Sequence, residues 1–248
     1  MRIALGTLCL LTLALGSCRP EIASPTSDNA PVIVPRTAWG AQPDIAERMT
    51  PTGAVRFVTI HHTATPDSIE EATHLRSIQR GHQEVDHAWG DIAYHYLIGP
   101  SGAIYEGRAE RFAPSSGTVY LTPAQWSAAP QNDLGQTTAA IPLGPDGQEV
   151  TRPGASAGHL LISVLGDYSE RLPTPEARDA IVRLAAAKLY EHGLSTDDVY
   201  FHREVAVFTD CPGQRFYDWF RGPTRQRGTR GEGLQRIAAE LDRLRAAD

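Results

Sequence analysis

The chain has 248 residues, of which 41% are hydrophobic and 21% are charged. These proportions are typical of globular domains and exclude disorder along the whole chain. The formal net charge of −6 at pH 7 makes the phosphate backbone of a nucleic acid an unfavourable partner, so we expect no nucleic-acid binding. Four arginines oppose this charge, and we interpret them as part of a solvated linker: Arg221, Arg225, Arg227 and Arg230.

The first residues of the chain predict an export signal. Arg2 precedes an apolar run over residues 3–15 that is too short to persist as a membrane-spanning helix. The letters "LGSC" at 15–18 resemble the lipobox of bacterial lipoproteins, whose cysteine becomes the lipidated first residue. We therefore expect a signal peptide over 1–17, a lipid on Cys18 and a polar tether over 18–33. The protein would be exported and anchored to a bacterial membrane, facing the periplasm or the cell wall; plain secretory cleavage is the alternative.

The three cysteines are informative because two of them lie in or beside this signal. Cys9 would leave with the signal peptide and Cys18 would carry lipid, so Cys211 would be the last free thiol. No intramolecular disulfide would then be available in an oxidising compartment. A single thiol in such a compartment is protected when it is buried or bound to metal. This favours Cys211 as a metal ligand over an inert thiol.

The first half of the folded region shows strand, helix and hairpin patterns in turn. The β-rich run "VRFVTIHH" over 55–62 predicts a buried strand that ends in two histidines. Ser68 and Glu71 stand at capping-box spacing and predict the start of a helix. Residues 94–108 contain two strand-like runs around a Gly-Pro-Ser-Gly turn, which predicts a hairpin.

The next region, over residues 109–157, is rich in Pro, Gly, Ser, Thr and Gln and has little periodicity. A loop of this length inside a domain is commonly functional or partly disordered. We expect a lid, or an altered wall of a groove, that limits which substrates fit.

Regular patterns resume with a buried strand predicted near residue 159. A helix follows over 174–193, because Thr174 suits the N-cap, Pro175 the first turn and Gly193 the stop. The last segment is an amphipathic helix after the linker. The patterns predict a single α/β domain over 34–220 with a mixed central sheet flanked by helices, and then a linker and C-terminal helix over 221–248.

Ligand chemistry alone indicates a metal site. Zinc favours imidazole and thiolate in a tetrahedral array, and a catalytic site leaves one position open. His202 and Cys211, nine residues apart, supply two donors, and His61 or His62 at a strand end supplies a third. Competing patterns are weaker: His82 and His87 are poorly spaced, and "HExxH" is absent. The nucleophile-elbow pattern "GASAG" at 154–158, with Ser156 at its centre, lacks the required strand before it and helix after it.

Several blocks, taken in chain order, resemble one known family. They are "RTAWGA" at 36–41, "VTIHHTAT" at 58–65, "LRSIQRGHQ" at 75–83, "IAYHYLIGPSGAIYEGR" at 92–108 and "HREVAVFTDCPG" at 202–213. Together they are similar to the zinc-dependent N-acetylmuramoyl-L-alanine amidases and the related peptidoglycan recognition proteins. The resemblance implies the fold of those proteins and hydrolysis of the amide between N-acetylmuramic acid and L-alanine.

Matching motif by motif, the resemblance implies roles for single residues. The zinc ligands of the family correspond to His61, His202 and Cys211, one Zn²⁺ per domain. The catalytic tyrosine corresponds to Tyr94, and a polar residue two before the cysteine to Thr209.

The general base is not fixed by this matching. Glu204 is a candidate because it lies two residues after His202, with a solvated surface carboxylate as the alternative.

Substrate contacts are harder to carry over. Where the family usually has "GAH" and an asparagine, this chain has "GASAGHLLISVLGD". The candidates are His62, His95, Arg108, Ser156 and His159. His62 is also interpreted as a neighbour of the metal site that packs at the strand end. We expect peptidoglycan or muropeptides as partners and a monomer. The alternatives are a non-catalytic peptidoglycan-binding module and a serine esterase that uses Ser156.

Overall fold

The computed structural model describes residues 30–85, 87–115, 120–138 and 156–248. The predicted signal peptide, the lipidated Cys18 and nearly all of the predicted tether lie outside these residues. Parts of the region 109–157 also lie outside them, and the lid expected there stays a prediction.

The domain is built on one mixed sheet of six strands. The strands are β1 Ile33–Val34, β2 Phe57–His62, β3 Tyr96–Ile98, β4 Ile104–Glu106, β5 His159–Val164 and β6 Val199–Phe201. Their order is β1-β4-β3-β5-β2-β6. The hairpin pair β3 and β4 is antiparallel, as predicted, and every other neighbouring pair is parallel. The predicted α/β class with a mixed central sheet is confirmed.

Seven α-helices accompany this sheet in the described residues. They are α1 Arg36–Trp39, α2 Glu71–Arg80, α3 Pro123–Ala128, α4 Pro175–Glu191, α5 His202–Val205, α6 Gln214–Arg221 and α7 Glu232–Ala246. None of the described helices combines the length and the apolar composition that crossing a bilayer requires.

The centre of the sheet is buried along its length, since five of the six residues of β2 and all six residues of β5 are buried. Val58 and Ile60 of β2 and Ile162 of β5 are fully buried in the main core. Burial along the whole strand is typical of parallel strands that are covered on both faces. Helix α4 contributes to the same core, and its predicted cap is confirmed, since the Thr174 hydroxyl accepts a hydrogen bond from the Ala177 N–H.

Helix α7 packs on α4 through the predicted apolar stripe. Its buried members are Leu234, Ile237, Leu241 and Leu244. At about 25 cal/mol per Å² of apolar surface removed from water, four such side chains contribute several kcal/mol. The C-terminal helix is therefore part of the domain's core.

The start of α2 differs from the prediction. The N-cap is Glu70, whose carboxylate accepts hydrogen bonds from the backbone N–H groups of Ala72 and Thr73 at 3.0 and 2.8 Å. The predicted capping box of Ser68 and Glu71 is wrong. Glu71 instead accepts from Ser101 and from the Tyr105 hydroxyl, so the tertiary contact with the hairpin overrides the local capping pattern.

Residues 120–138 are not the structureless loop that the composition predicts. They contain α3, which begins with a capping box between Thr122 and Gln125. Trp126 of this helix is buried and packs against Phe57 at 5.3 Å and Tyr200 at 4.0 Å between ring centroids. One large aromatic side chain and a good cap therefore fix a short helix in a stretch that has no repeating apolar pattern.

Candidate metal centre

Two of the predicted ligands meet because their strands are parallel neighbours. In the pairing of β2 with β6, Ile60 lies opposite Phe201. His61 directly follows Ile60, and His202 directly follows Phe201. The two histidines therefore lie side by side at the carboxyl edge of the sheet. Their ring centroids are 4.2 Å apart, and both side chains are buried.

Cys211 completes the cluster from the loop between α5 and α6. Its Sγ lies 3.5 Å from the Nδ1 of His61, and one donor atom from each of His61, His202 and Cys211 lies within 4.8 Å of the others. With typical zinc bond lengths, a tetrahedral ion separates its sulfur and nitrogen ligands by about 3.6 Å. Two imidazoles and one thiol at these separations fit a zinc ion and leave one coordination position for water or substrate.

The loop that carries Cys211 is held by hydrogen bonds to its backbone. The N–H of Arg203 donates to the Cys211 carbonyl at 3.0 Å, and the buried Arg203 guanidinium donates to the carbonyl of Asp210. The Cys211 N–H donates to the Thr209 hydroxyl at 3.1 Å. At Gly213, φ is +92° and an added Cβ would lie 2.4 Å from the Tyr168 backbone, so only glycine fits. The thiol is thus presented by a fixed loop.

Burial sets the protonation of the three donors without metal. It lowers the pKa of His61 well below its usual range and that of His202 to about 3, so both imidazoles are neutral at pH 7. Burial also raises the pKa of the Cys211 thiol to about 12. Neutral imidazole is the form that binds metal, whereas the thiol must release a proton when a cation binds.

The cluster lies in the wall of a cavity of about 480 Å³. Tyr94 and Thr209 line the same cavity, and the Tyr94 ring centroid is 5.4 Å from that of His61. Burial raises the pKa of the Tyr94 hydroxyl, so it remains a protonated donor at neutral pH. The structure therefore brings the predicted ligands, Tyr94 and Thr209 together around one space.

Other residues of the cavity wall were not predicted as site residues. Trp89 lies flat against His87, with 4.0 Å between ring centroids and 12° between planes. Phe208 lines the cavity and is 80% exposed, at a backbone φ of +57° that non-glycine residues seldom adopt. An exposed Phe208 and a half-buried Trp89 in the wall of a cavity suit contact with a ligand. Their positions depend on turns that composition does not specify.

His62 lies beside the cluster through its backbone. Its N–H donates to Cys211 Sγ at 3.3 Å, while its ring Nδ1 accepts from the Tyr168 N–H at 3.3 Å. Burial lowers the pKa of the His62 ring to about 4. The ring is not one of the donors of the cluster, but it lines the cavity. The interpretation of His62 as a neighbour of the ligands agrees with this geometry, and a substrate contact by it stays a prediction.

Glu204 contradicts both interpretations drawn from the sequence. It is fully buried, so it is not a solvated surface carboxylate. Its oxygens accept from the Arg221 guanidinium twice at 2.8 Å, from the Tyr217 hydroxyl at 2.9 Å and from the Phe201 N–H at 3.1 Å. It does not belong to the described lining of the cavity. A carboxylate engaged in this way is a structural ion-pair partner and is not placed to act as a general base.

The same ion pair corrects the prediction for the arginine cluster. Arg221 is buried and is not part of a solvated linker. Two of the other three arginines form ion pairs, Arg225 with Asp218 and Arg230 with Asp197. The linker contains internal contacts that the local composition does not reveal.

His95 and Arg108 are predicted substrate contacts that the structure places in the protein's framework. His95 is buried; its Nδ1 accepts from the Leu161 N–H and its Nε2 donates to the Phe112 carbonyl. Arg108 donates through its whole guanidinium to backbone carbonyls, those of Ile92, Ala113 and Asp91. Their polar atoms are all engaged with backbone groups away from the described part of the cavity, and a substrate contact by either residue stays a prediction.

Ser156 and His159 are also engaged elsewhere. The Ser156 hydroxyl donates to the Pro114 carbonyl at 2.7 Å, and the residue lies in a turn that precedes β5. His159 is buried, with Nδ1 at 2.8 Å from the Thr59 hydroxyl. Neither residue is in the described lining of the cavity, and their role as substrate contacts stays a prediction. A turn before a strand is not a nucleophile elbow, which also removes the geometry that a Ser156 esterase requires.

Tyr120 touches the cluster, although nothing in the sequence predicts it as a site residue. Its hydroxyl lies 3.0 Å from His61 Nε2, and its ring centroid lies 5.3 Å from that of His202. It is buried in the region whose composition indicates only a loop. No residue pattern around Tyr120 distinguishes it from the other tyrosines of the chain.

Comparisons with known proteins agree with this geometry. The family model described as N-acetylmuramoyl-L-alanine amidase matches residues 51–214. The chain is 27% identical over 198 residues to the human N-acetylmuramoyl-L-alanine amidase and 30% identical over 189 residues to peptidoglycan-recognition protein LE of Drosophila melanogaster. These matches cover 77% and 75% of this chain, but only 28% and 44% of the two relatives.

A solved structure extends the likeness to the fold. The structure of peptidoglycan recognition protein-LE in complex with tracheal cytotoxin, a monomeric diaminopimelic acid-type peptidoglycan, is similar with a TM-score of 0.55 and 28% identity. The match covers 75% of this chain and 90% of the chain in that structure. The family match spans β2 with His61, the start of α5 with His202 and the loop that carries Cys211. This chain therefore belongs to the N-acetylmuramoyl-L-alanine amidase family, whose fold it shares with the peptidoglycan recognition proteins.

Proposed function

We propose that this chain is a zinc-dependent amidase that cleaves the bond between N-acetylmuramic acid and L-alanine in peptidoglycan or its fragments. The observation that carries the proposal is the meeting of His61, His202 and Cys211 at a cavity that also contains Tyr94. Relatives named as amidases and a relative bound to a peptidoglycan fragment support the reaction and the substrate class.

The residues of the chain suit amide hydrolysis. His61, His202 and Cys211 would hold zinc, which supplies Lewis acidity that polarises a carbonyl and activates water near neutral pH. The protonated hydroxyl of Tyr94 can donate to the amide oxygen as negative charge develops on it. The Thr209 hydroxyl accepts a hydrogen bond from the Cys211 N–H and so helps to hold the thiol in place. The cavity wall supplies Trp89 and Phe208 as apolar surfaces for the substrate.

The second candidate is a module that binds peptidoglycan without cleaving it, because several relatives are named as recognition proteins. Binding alone does not require a buried cluster of three metal donors beside a tyrosine. The cluster therefore favours the amidase.

We expect Tyr94→Phe to keep stoichiometric zinc and to lower turnover by about 100- to 1,000-fold, the usual cost of removing one donor to a developing oxyanion. Release of stem peptide from a purified muropeptide measures turnover, and atomic absorption measures zinc. Tyr105→Phe is the matched control, because the Tyr105 hydroxyl bonds to Glu71 instead. Turnover of Tyr94→Phe at the wild-type rate would remove Tyr94 from the mechanism. Zinc in the wild type without any release would favour the recognition module.

We also propose that the protein is exported and anchored by lipid on Cys18, as the lipobox-like letters "LGSC" indicate. Cys18→Ala is then expected to shift the protein from the membrane fraction to the soluble extract and to abolish incorporation of a labelled fatty acid. Cys9→Ala is the control, because Cys9 would be removed with the signal peptide. Labelling that persists in Cys18→Ala would disprove the anchor.

A further inference from the structure

We propose that Tyr120 is a positioning residue for the metal centre, which orients the His61 ring by accepting a hydrogen bond from its Nε2–H. The inference depends on the proposed zinc site and concerns a residue that no family motif of the sequence contains. It gives residues 120–138 a role in metal binding, in addition to the packing of Trp126.

The two ring nitrogens of His61 face different partners. Nδ1 lies 3.5 Å from Cys211 Sγ, and Nε2 lies 3.0 Å from the Tyr120 hydroxyl. Since the nitrogens point away from opposite sides of the ring, only Nδ1 can share a cation with the thiol. A neutral imidazole that binds metal through Nδ1 carries its proton on Nε2. Tyr120 is placed to accept that proton in a hydrogen bond and so to select the tautomer that leaves Nδ1 free.

Tyr120 also contacts the second imidazole of the cluster. Its ring is 5.3 Å from the His202 ring at an interplanar angle of 30°, and 5.2 Å from the His159 ring in an edge-on arrangement. One side chain thus touches both imidazole donors. Its exposed fraction is only 7%, so water competes little for the hydroxyl, and the hydrogen bond to His61 is strengthened by the low-dielectric surroundings.

The backbone around Tyr120 is tied to the segment that carries His202. Tyr120 pairs with Ala206 in an antiparallel bridge, and the Leu121 N–H donates to the Val205 carbonyl at 2.9 Å. Val205 ends α5, the helix that His202 begins. The position of Tyr120 is therefore fixed relative to one ligand by its backbone and relative to the other by its hydroxyl. His61 at the end of β2 and His202 at the start of α5 are thus held in one arrangement before a cation arrives.

Tyr120→Phe tests the inference, because it removes the hydroxyl and keeps the ring contact with His202. We expect zinc affinity, measured by competition with a chromophoric chelator, to fall by about 10- to 100-fold, as is usual when the partner of a metal-bound histidine is lost. Tyr200→Phe is the matched control, since Tyr200 packs in the same aromatic cluster without contacting a ligand. The metal-free variants should melt at the wild-type temperature.

A second measurement does not depend on metal or on the variant. In the metal-free wild type, ¹⁵N NMR should find the His61 ring protonated on Nε2. Equal zinc affinity of Tyr120→Phe and wild type, or protonation of the wild-type ring on Nδ1, would overturn the inference while leaving the proposed function intact. A wild type that binds no zinc would overturn both. If Tyr120→Phe does not fold, the tautomer in the wild type decides.

Discussion

Cys211→Ser is expected to lose zinc and turnover together while the domain stays folded. Serine replaces a thiolate, which zinc binds well, by a hydroxyl that does not ionise near neutral pH. We expect zinc affinity to fall by more than about 100-fold, beyond the cost of losing a partner outside the coordination shell. Turnover should fall to the uncatalysed background. Both effects are measured on the same preparation by chelator competition and by release of stem peptide.

The structure explains why this substitution should spare the fold. The thiol is buried and already accepts from the His62 N–H, so a serine oxygen there keeps a hydrogen-bond donor as partner. The loop remains held by Arg203 and Thr209. Metal-free Cys211→Ser and metal-free wild type should therefore unfold at the same urea concentration. Thr209→Ser, which keeps the hydroxyl, serves as the control for the loop. Stoichiometric zinc in Cys211→Ser would refute the assignment of the ligand.

Glu204→Ala is expected to produce the largest loss of stability. It would leave the buried Arg221 guanidinium without its carboxylate, and breaking a buried pair in this way typically costs about 3–5 kcal/mol. Tyr217 and the Phe201 N–H would lose an acceptor as well. Urea unfolding of the metal-free proteins measures the change without contribution from bound zinc.

A double substitution separates the structural role of Glu204 from a catalytic one. Glu204→Met combined with Arg221→Met removes both charges, and apolar replacement of a whole buried pair is often tolerated. We expect the double variant to recover part of the lost stability and to retain measurable turnover. A stable Glu204→Ala variant with abolished turnover would instead identify Glu204 as the base and contradict the ion-pair interpretation.

The sequence predicted those parts of the fold and of the site that depend on residues close together in the chain. The strand that ends in His61 and His62, the cap at Thr174 and the amphipathic helix α7 each follow from a few nearby residues, and the structure confirms all three. Once β2 and β6 pair in parallel, their register places His61 beside His202. Ligand chemistry and the ordered motifs were sufficient to select Cys211 as their partner.

The contacts that the sequence did not predict join distant residues. Glu204 is buried because Arg221, 17 residues later, reaches back to it from a stretch with the composition of a linker. His95 and Arg108 match family blocks, yet their polar atoms bond to backbone groups that only the folded chain brings near. Tyr120 contacts His61 across 59 residues, and nothing in its neighbours records that contact.

The placement of the donors gives a bound cation a thermodynamic role besides chemistry. His61 and Cys211 are 150 residues apart in sequence, on opposite sides of most of the domain's chain. An ion that joins them acts as a reversible cross-link around a very long loop, and cross-links of this kind restrict the unfolded chain strongly. The free energy of metal binding would thereby also stabilise the folded state relative to the unfolded chain. At the proposed zinc site, loss of the ion would therefore lower the stability of the fold as well as the turnover.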